Sequence, residues 1–251
     1  MRTVDRPPIV FVHGTRFARG QWQPQLAALA AEFPVAAVDL PGHGRRSAEA
    51  WNLDRAADVV AEAIQDLDAG LALVVGHSLG GYVSLHVARR HPDLLAGLVL
   101  MGASVATTWP LTVPYRLVAA LVARLPAVRL TAWNDRLLRR LYPPEVVGAT
   151  IADGYAFHTL PIAWRDVMGR FDATSVAAVR APVLILNGER DRLFRSGEQE
   201  FARARPGTRI ELVPGAGHLA NFDAPSAVTD AVRRFARELS PYAPPDSTVR
   251  A

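Results

Sequence analysis

The chain has 251 residues, 50% of them hydrophobic and 21% charged, with a net charge of +4, no cysteine and no lysine. Such a chain is too apolar and too nearly neutral to be disordered, and its length suits one globular domain or a domain carrying an insertion. Lack of cysteine excludes disulfides, thiolate zinc sites and a cysteine nucleophile; lack of lysine excludes a phosphate-loop lysine and a Schiff base.

In chain order, a strand is expected at Ile9–His13, a helix at Gln21–Glu32, a strand at Val35–Asp39 and a helix at Leu53–Asp68. A strand at Leu71–Val75, a helix at Leu79–Arg90 and a strand at Gly97–Met101 follow. After a long interval come a strand at Val183–Asn187, a helix at Gly197–Arg205, a strand at Arg209–Val213 and a helix at Ala224–Leu239. Most of these strands are apolar throughout rather than alternating, the mark of strands buried on both faces of a parallel sheet. The alternation of strand and helix predicts the α/β class, with a doubly wound, mostly parallel sheet.

The interval from 104 to 179 has no strand pattern. Helical pieces are expected at Pro114–Leu125, Val128–Leu141, Pro144–Gly154 and Pro161–Phe171. Tyr115, Leu117, Val118, Leu121, Val122 and Leu125 form a broad apolar stripe at helical spacing. The expected organisation is a core of 1–103 and 180–240, a helical cap at 104–179, and a Pro-rich flexible tail at 241–251. Met1–Pro7 has no apolar segment of a targeting signal, and Leu94–Tyr115, the longest uncharged run, is broken by glycine and proline. No membrane span is expected, and the cytoplasm is the default compartment. The arginines are dispersed among 24 acids, which argues against a nucleic-acid partner. Oligomeric state is not legible.

Gly76-His77-Ser78-Leu79-Gly80-Gly81 joins an expected strand to an expected helix, the context in which G-x-S-x-G forms a nucleophile elbow. Ser78 would sit in a strained turn at a helix N-terminus, where a side chain at Gly76 or Gly80 would crowd the backbone. A serine needs a base. Of the seven histidines, His13, His43 and His77 lie in Gly-flanked turns suited to orienting backbone, and His86 and His91 point too far apart on one helix to share a metal. His158 stands alone in the cap. His218, in Pro214-Gly215-Ala216-Gly217-His218 just after the last strand, can reach the carboxyl edge of the sheet and is the candidate base. Asp191, just past the strand Val183–Asn187, is the favoured acid to orient it, with Glu189 as competitor. Oxyanion donors are expected from the N–H of Leu79 and, in the His13-Gly14-Thr15-Arg16 loop, of Thr15.

Val10–Thr15, Asp39–Ser47, Val74–Gly81, Pro182–Asp191 and Pro214–Pro225 run in an order that resembles the α/β-hydrolase superfamily, in its lid-bearing branch of serine esterases, lactonases and C–C bond hydrolases. The resemblance implies Ser78 as nucleophile, Asp191 as acid, His218 as base, and the Thr15 and Leu79 amides as oxyanion donors. One departure is that Met1–Pro7 is too short for the antiparallel hairpin with which that fold usually opens, so a truncated sheet of about six strands is expected. The implied reaction is hydrolysis of a carboxylic ester or lactone through an acyl-enzyme, without metal or organic cofactor. His77, Trp109, Trp133 and Trp164 are candidates for the wall of a substrate pocket. The apolar cap suggests a mainly apolar small-molecule substrate. Its eight arginines against five acids lean toward an acidic one, although a solvated face explains the same count. Alternatives are a C–C bond hydrolase of vinylogous diketones, a recruited acyl-transfer or cyclising enzyme, and a ligand receptor without catalysis.

Overall fold

The computed structural model describes residues 6–67, 70–108 and 112–239, with only the backbone of Thr112. Trp109, the expected tail at 241–251 and the first five residues lie outside the described residues. β1 (Ile9–Val12), β2 (Val35–Val38), β3 (Ala72–His77), β4 (Leu95–Met101), β5 (Val183–Gly188) and β6 (Arg209–Val213) form one sheet in the order β2-β1-β3-β4-β5-β6. Every pairing is parallel, and no strand precedes β1 among the described residues.

Both faces of the sheet are covered, which is why its strands read as continuous apolar runs. Val10, Val12, Val74, Leu98, Leu100, Val183 and Ile185 point to one core. There they meet α2 (Leu53–Asp66), α3 (Leu79–Arg90) and Phe201 of α10 (Glu198–Ala204). The intervening residues, Ile9, Phe11, Leu73, Val75, Val99, Leu184 and Leu186, point to a second core. That one is closed by α1 (Gln23–Leu29) and α12 (Pro225–Glu238). At about 1.5–3 kcal/mol for each fully buried Val, Leu or Ile, a polar residue at any of these positions would cost more than a strand end contributes. The order of strands across the sheet turns back at β1, with β2 on one side and β3 on the other, so the carboxyl ends of β1 and β3 flank the crevice in which open α/β sheets bind ligands.

β4 and β5 are joined through α4 (Thr112–Val122), α5 (Ala127–Leu141), α6 (Pro144–Asp153), α7 (Leu160–Val167) and α8 (Ala173–Ala177). These helices bind the loops beyond the strand ends. Asp153 accepts the Gly20 N–H at 2.8 Å, Asn134 accepts from Arg16 Nε at 3.0 Å, and the Thr159 hydroxyl donates to Gly42 O at 2.9 Å. Asp166 accepts from both Trp51 Nε1 and the Leu53 N–H. The short helices α8, α9 (Arg192–Arg195) and α11 (Ala220–Asp223) have no periodic signal of their own.

The apolar stripe expected on α4 packs inward only in part. Leu117 and Leu121 are 67% and 59% exposed, and Val118 and Leu125 are exposed beside them. The inward face carries buried Ala119 and, from the stripe itself, Tyr115, which stacks on Trp164 of α7. Small residues let α4 and α7 approach, and the bulkier side chains are left on the solvent side. No described helix is long and apolar enough to cross a membrane.

Candidate active site

Ser78 occupies the turn from β3 into α3 with φ 52° and ψ −116°, and it is the only non-glycine residue at positive φ among the described residues. Such a backbone costs about 1–3 kcal/mol and persists only when its surroundings enforce it. Here they do. The Ser78 N–H donates to Met101 O at 2.8 Å, and the N–H groups of Gly81 and Tyr82 return to Ser78 O. A Cβ at Gly76 would lie 2.4 Å from Gly80 O, and one at Gly80 would lie 2.4 Å from Val12 O. The two glycines therefore let the first turn of α3 press onto β3 and β1. Neither the Leu79 nor the Thr15 N–H has an acceptor among the described residues, and Leu79 opens a helix whose dipole favours negative charge at that end.

The loops after β5 and β6 are laced together. Glu189 N–H donates to Val213 O at 3.0 Å and Arg190 N–H to Ala216 O at 2.8 Å. At Gly188 a Cβ would fall 2.0 Å from Gly217 O, so the two loops approach closely only because that position is glycine. This lacing sets His218 Nδ1 2.7 Å from Asp191 Oδ2. The carboxylate is buried, at 6% exposure, while the imidazole keeps 36%. With Nδ1–H donated to Asp191, Nε2 is left as the acceptor. The ring is fixed on its faces as well, stacked on Phe194 (4.4 Å, 17°) and tilted against His77 (4.8 Å). Glu189 does not compete for it, because its carboxylate accepts the Gly215 N–H at 2.8 Å. Gly102 brings the two halves together. A Cβ there would lie 2.8 Å from His218 Cε1, and the preceding carbonyl, Met101 O, is the one that accepts from Ser78. Ser78 and His218 thus abut the same peptide at the end of β4.

Behind these residues lies a polar network that the motifs do not announce. Gln21 Oε1 accepts the Gly14 N–H at 2.8 Å, so its amide nitrogen faces His77 Nδ1 at 2.8 Å as donor. That assigns the proton of His77 to Nε2, which donates to His218 O at 2.9 Å. His13 takes the opposite tautomer, since Leu40 N–H donates to its Nε2 at 3.0 Å and Nδ1 faces Gly14 O at 2.9 Å. Asn221 adds a hydrogen bond to Gln21 O. Beneath Gly102, Asn187 accepts its N–H at 3.1 Å and donates to Ser104 and Glu198, joining the ends of β4 and β5. His77 is buried in this network.

Burial, ahead of neighbouring positive charge, holds the His13 and His77 imidazoles well below their usual value of 6.5. His43 and His86 are pushed the same way, again chiefly by burial. In the unfolded chain these rings titrate normally, so below pH 6.5 the unfolded state binds protons that the folded state refuses. Stability is therefore complete above about pH 6.5 and falls as pH drops through that value, by about 1.4 kcal/mol per pH unit for each fully buried histidine. Denaturant titrations at pH 7.5 and 5.5 are expected to show this loss, in a window above the carboxylate values of 3.8–4.5. An unchanged unfolding free energy between those two conditions would contradict the assignment of neutral, buried rings.

Trp164 lines a cavity of about 690 Å3 between α4 and α7. Trp133, on α5, is 60% exposed and is not among the residues that line it. Trp109 lies outside the described residues. No cluster of three or more His, Asp or Glu side chains suited to a metal occurs among the described residues. His86 and His91 instead face Asp54 (2.6 Å) and Asp58 (2.9 Å) separately.

A sequence profile of the Alpha/beta hydrolase family matches residues 9–231. The chain is 30% identical, over 84% of its length and 70% of the relative's, to a pimeloyl-[acyl-carrier protein] methyl ester esterase of Neisseria meningitidis serogroup A. It is 29% identical to the dihydrolipoyllysine-residue acetyltransferase component of an acetoin cleaving system of Pseudomonas putida, over 92% of this chain and only 64% of that protein. Among solved structures, a thermophilic esterase from Thermogutta terrifontis with malate bound superposes with a TM-score of 0.75 at 27% identity, covering 93% of this chain and 90% of the other.

Proposed function

The chain belongs to the Alpha/beta hydrolase family, and from that premise we propose that it is a serine hydrolase cleaving a carboxylic ester or lactone through an acyl-enzyme. The observation that carries the reading is the 2.7 Å hydrogen bond from His218 Nδ1 to buried Asp191, beside the strained turn that presents Ser78. A likeness to two proteins named as esterases supports it.

In the proposed cycle Ser78 Oγ attacks the acyl carbon while His218 Nε2 takes its proton, and Asp191 stabilises the imidazolium that results. The carbonyl oxygen, now anionic, is held by the N–H groups of Leu79 and Thr15, each such donor contributing about 2.7–4 kcal/mol. His218 returns the proton to the leaving alcohol, whose C–O bond breaks to give the acyl-enzyme. Water then attacks the acyl carbon, giving a proton to His218, and the acid departs as Ser78 recovers it. The proposed cycle draws on no metal or organic cofactor. In this reading the inserted helices act as a cap that dries the acyl carbon, so that the fixed dipoles beneath act in low dielectric. The substrate is a mainly apolar small molecule met in the cytoplasm.

A fluorophosphonate probe, followed by peptide mapping, is expected to label Ser78. Across p-nitrophenyl esters of graded chain length, simple lactones and a vinylogous diketone, turnover is expected for the esters or lactones. Turnover of the diketone alone would move the chain to C–C bond hydrolysis. Absence of both labelling and turnover would leave a ligand receptor instead.

A further inference from the structure

We propose that the cavity between α4 and α7 receives the far end of the substrate, and that this end carries an oxyanion, a carboxylate or a phosphate, separated from the scissile acyl carbon by an apolar chain. The proposal deepens the serine-hydrolase reading and rests on it.

Three observations converge. First, at about 690 Å3 the cavity is of the size that holds small ligands, roughly 300–1,000 Å3 in general. Its walls are mostly apolar, with Ala119, Ala120 and Ala123 on one side and Pro161, Trp164 and Met168 on the other.

Second, that apolar lining is interrupted by two cations, one from each helix: Arg116 and Arg165. Between β4 and β5 most arginines lack a carboxylate partner among the described residues, but Arg116 and Arg165 are the two that line this cavity. Arg55 holds Glu49 and Glu62, Arg233 holds Glu32, and Arg170, a few residues from Arg165, holds Asp166 at 2.8 Å. Arg116 and Arg165 have no carboxylate partner among the described residues. Asp166, adjacent in sequence to Arg165, is already committed to Trp51, the Leu53 N–H and Arg170. Two exposed arginines bordering one mostly apolar cavity suit a planar or tetrahedral oxyanion, which each can bind with paired N–H groups.

Third, the cavity lies a layer of rings away from the candidate base. Tyr115, Trp164 and Met168 line both it and a second, much smaller void. That void is closed on its far side by Tyr82, Val105 and Phe194, and Phe194 is the ring stacked on His218. Tyr115 also feels the charge of Asp191, which, after burial, helps to raise its phenol above the usual value. The stacked pair Tyr115–Trp164 (4.5 Å, 16°) is therefore the partition between the imidazole side and the cationic cavity. In the proposal this pair parts to admit an acyl chain from Ser78 past Phe194, which places the chain's terminus beside Arg116 and Arg165.

The test compares half-methyl esters of succinate, adipate and sebacate, and methyl 6-phosphonohexanoate, with methyl alkanoates and dimethyl esters of matched length. Wild type is expected to favour an anionic-ended substrate in kcat/KM by about tenfold or more at low salt, with the preference shrinking as ionic strength rises. Arg116→Gln and Arg165→Gln are each expected to reduce the anionic-to-neutral ratio several-fold, and Ala120→Leu, which fills the cavity, to disfavour the longer half-esters relative to succinate. Arg203→Gln, on α10, serves as a control for loss of any one surface charge. The phosphonate arm separates a phosphate receptor from a carboxylate receptor. Binding is read independently by calorimetry on Ser78→Ala with the same esters. Equal ratios in wild type and both arginine variants, together with equal binding of charged and neutral esters, would overturn the proposal while leaving the hydrolase reading intact. Tight, arginine-dependent binding of half-esters that wild type never hydrolyses would do the reverse.

Discussion

Ser78→Ala is expected to lower kcat on any ester the wild type accepts by about 10⁴–10⁶-fold, with no burst of released alcohol, while the protein stays folded. The size follows from how the site is assembled. In the proposed cycle, without Oγ the Nε2 acceptor of His218 has nothing to deprotonate, and only the proposed oxyanion donors and substrate positioning remain, which leaves a residual rate above that of water. Stability is expected to respond differently to a second variant. Ser78 is held at φ 52°, where a Cβ is strained and glycine is not. Ser78→Gly should therefore recover part of about 1–3 kcal/mol of backbone strain, offset by the greater freedom of glycine in the unfolded chain. Ser78→Ala retains the Cβ and should not. A glycine variant that melts above the alanine variant, by about 2–4 °C per kcal/mol for a chain of this size, would report strain held at this turn. If the alanine variant keeps more than a small fraction of wild-type turnover, the nucleophile lies elsewhere. If glycine melts below alanine, the turn is not a reservoir of strain.

The sheet was legible because its physics is local. A strand buried on both faces must be apolar along most of its length, and β1, β3, β4 and β5 are until His77 and Asn187 near the ends of β3 and β5, so their runs survive reading without any knowledge of neighbours. The elbow was legible for a related reason: close backbone approach leaves only glycine at positions 76 and 80, and glycine is visible in a sequence. Expectation failed where the outcome depends on a distant partner. The stripe of Tyr115, Leu117, Val118, Leu121, Val122 and Leu125 has the spacing of a buried face, yet α7 meets α4 along Tyr115 and the alanines and leaves Leu117, Val118, Leu121 and Leu125 exposed. Periodicity gives a helix and its apolar face, but not which face the rest of the chain will cover. Gln21 shows the same limit for polar groups. Its partners are Gly14, His77 and Asn221, and a glutamine in the first turn after a loop carries no signal that a histidine 56 positions away will need a donor. His77 was read both as an orienter of backbone and as a pocket wall, and its hydrogen bond to His218 O is of the first kind. Choosing between Asp191 and Glu189 likewise depended on which carboxylate the loop after β6 would occupy first. Glu189 is drawn to the Gly215 N–H, which leaves Asp191 for the imidazole.

That division of labour predicts opposite outcomes for two conservative substitutions. Asp191→Asn is expected to reduce kcat by about 10⁴-fold with little change in fold, whereas Glu189→Gln should stay within about tenfold of wild type. The asymmetry is one of tautomers. Asp191 can only accept, so it fixes the proton of His218 on Nδ1 and leaves a lone pair on Nε2 for the serine proton. An asparagine there can present its amide as donor, which moves the ring proton to Nε2 and turns the base away from its task. It also removes the negative charge that stabilises the imidazolium in the transition state. Glutamine at 189, by contrast, keeps a carbonyl oxygen to accept the Gly215 N–H. The rate of fluorophosphonate labelling should fall in parallel with kcat for Asp191→Asn, since both depend on withdrawing the same proton, and KM should move far less. If Glu189→Gln were the variant that collapsed the rate, the loop after β6 would have to rearrange in the working enzyme and the acid would be reassigned. If neither did, His218 would be acting without an orienting carboxylate, and the short contact to Asp191 would be a feature of packing alone.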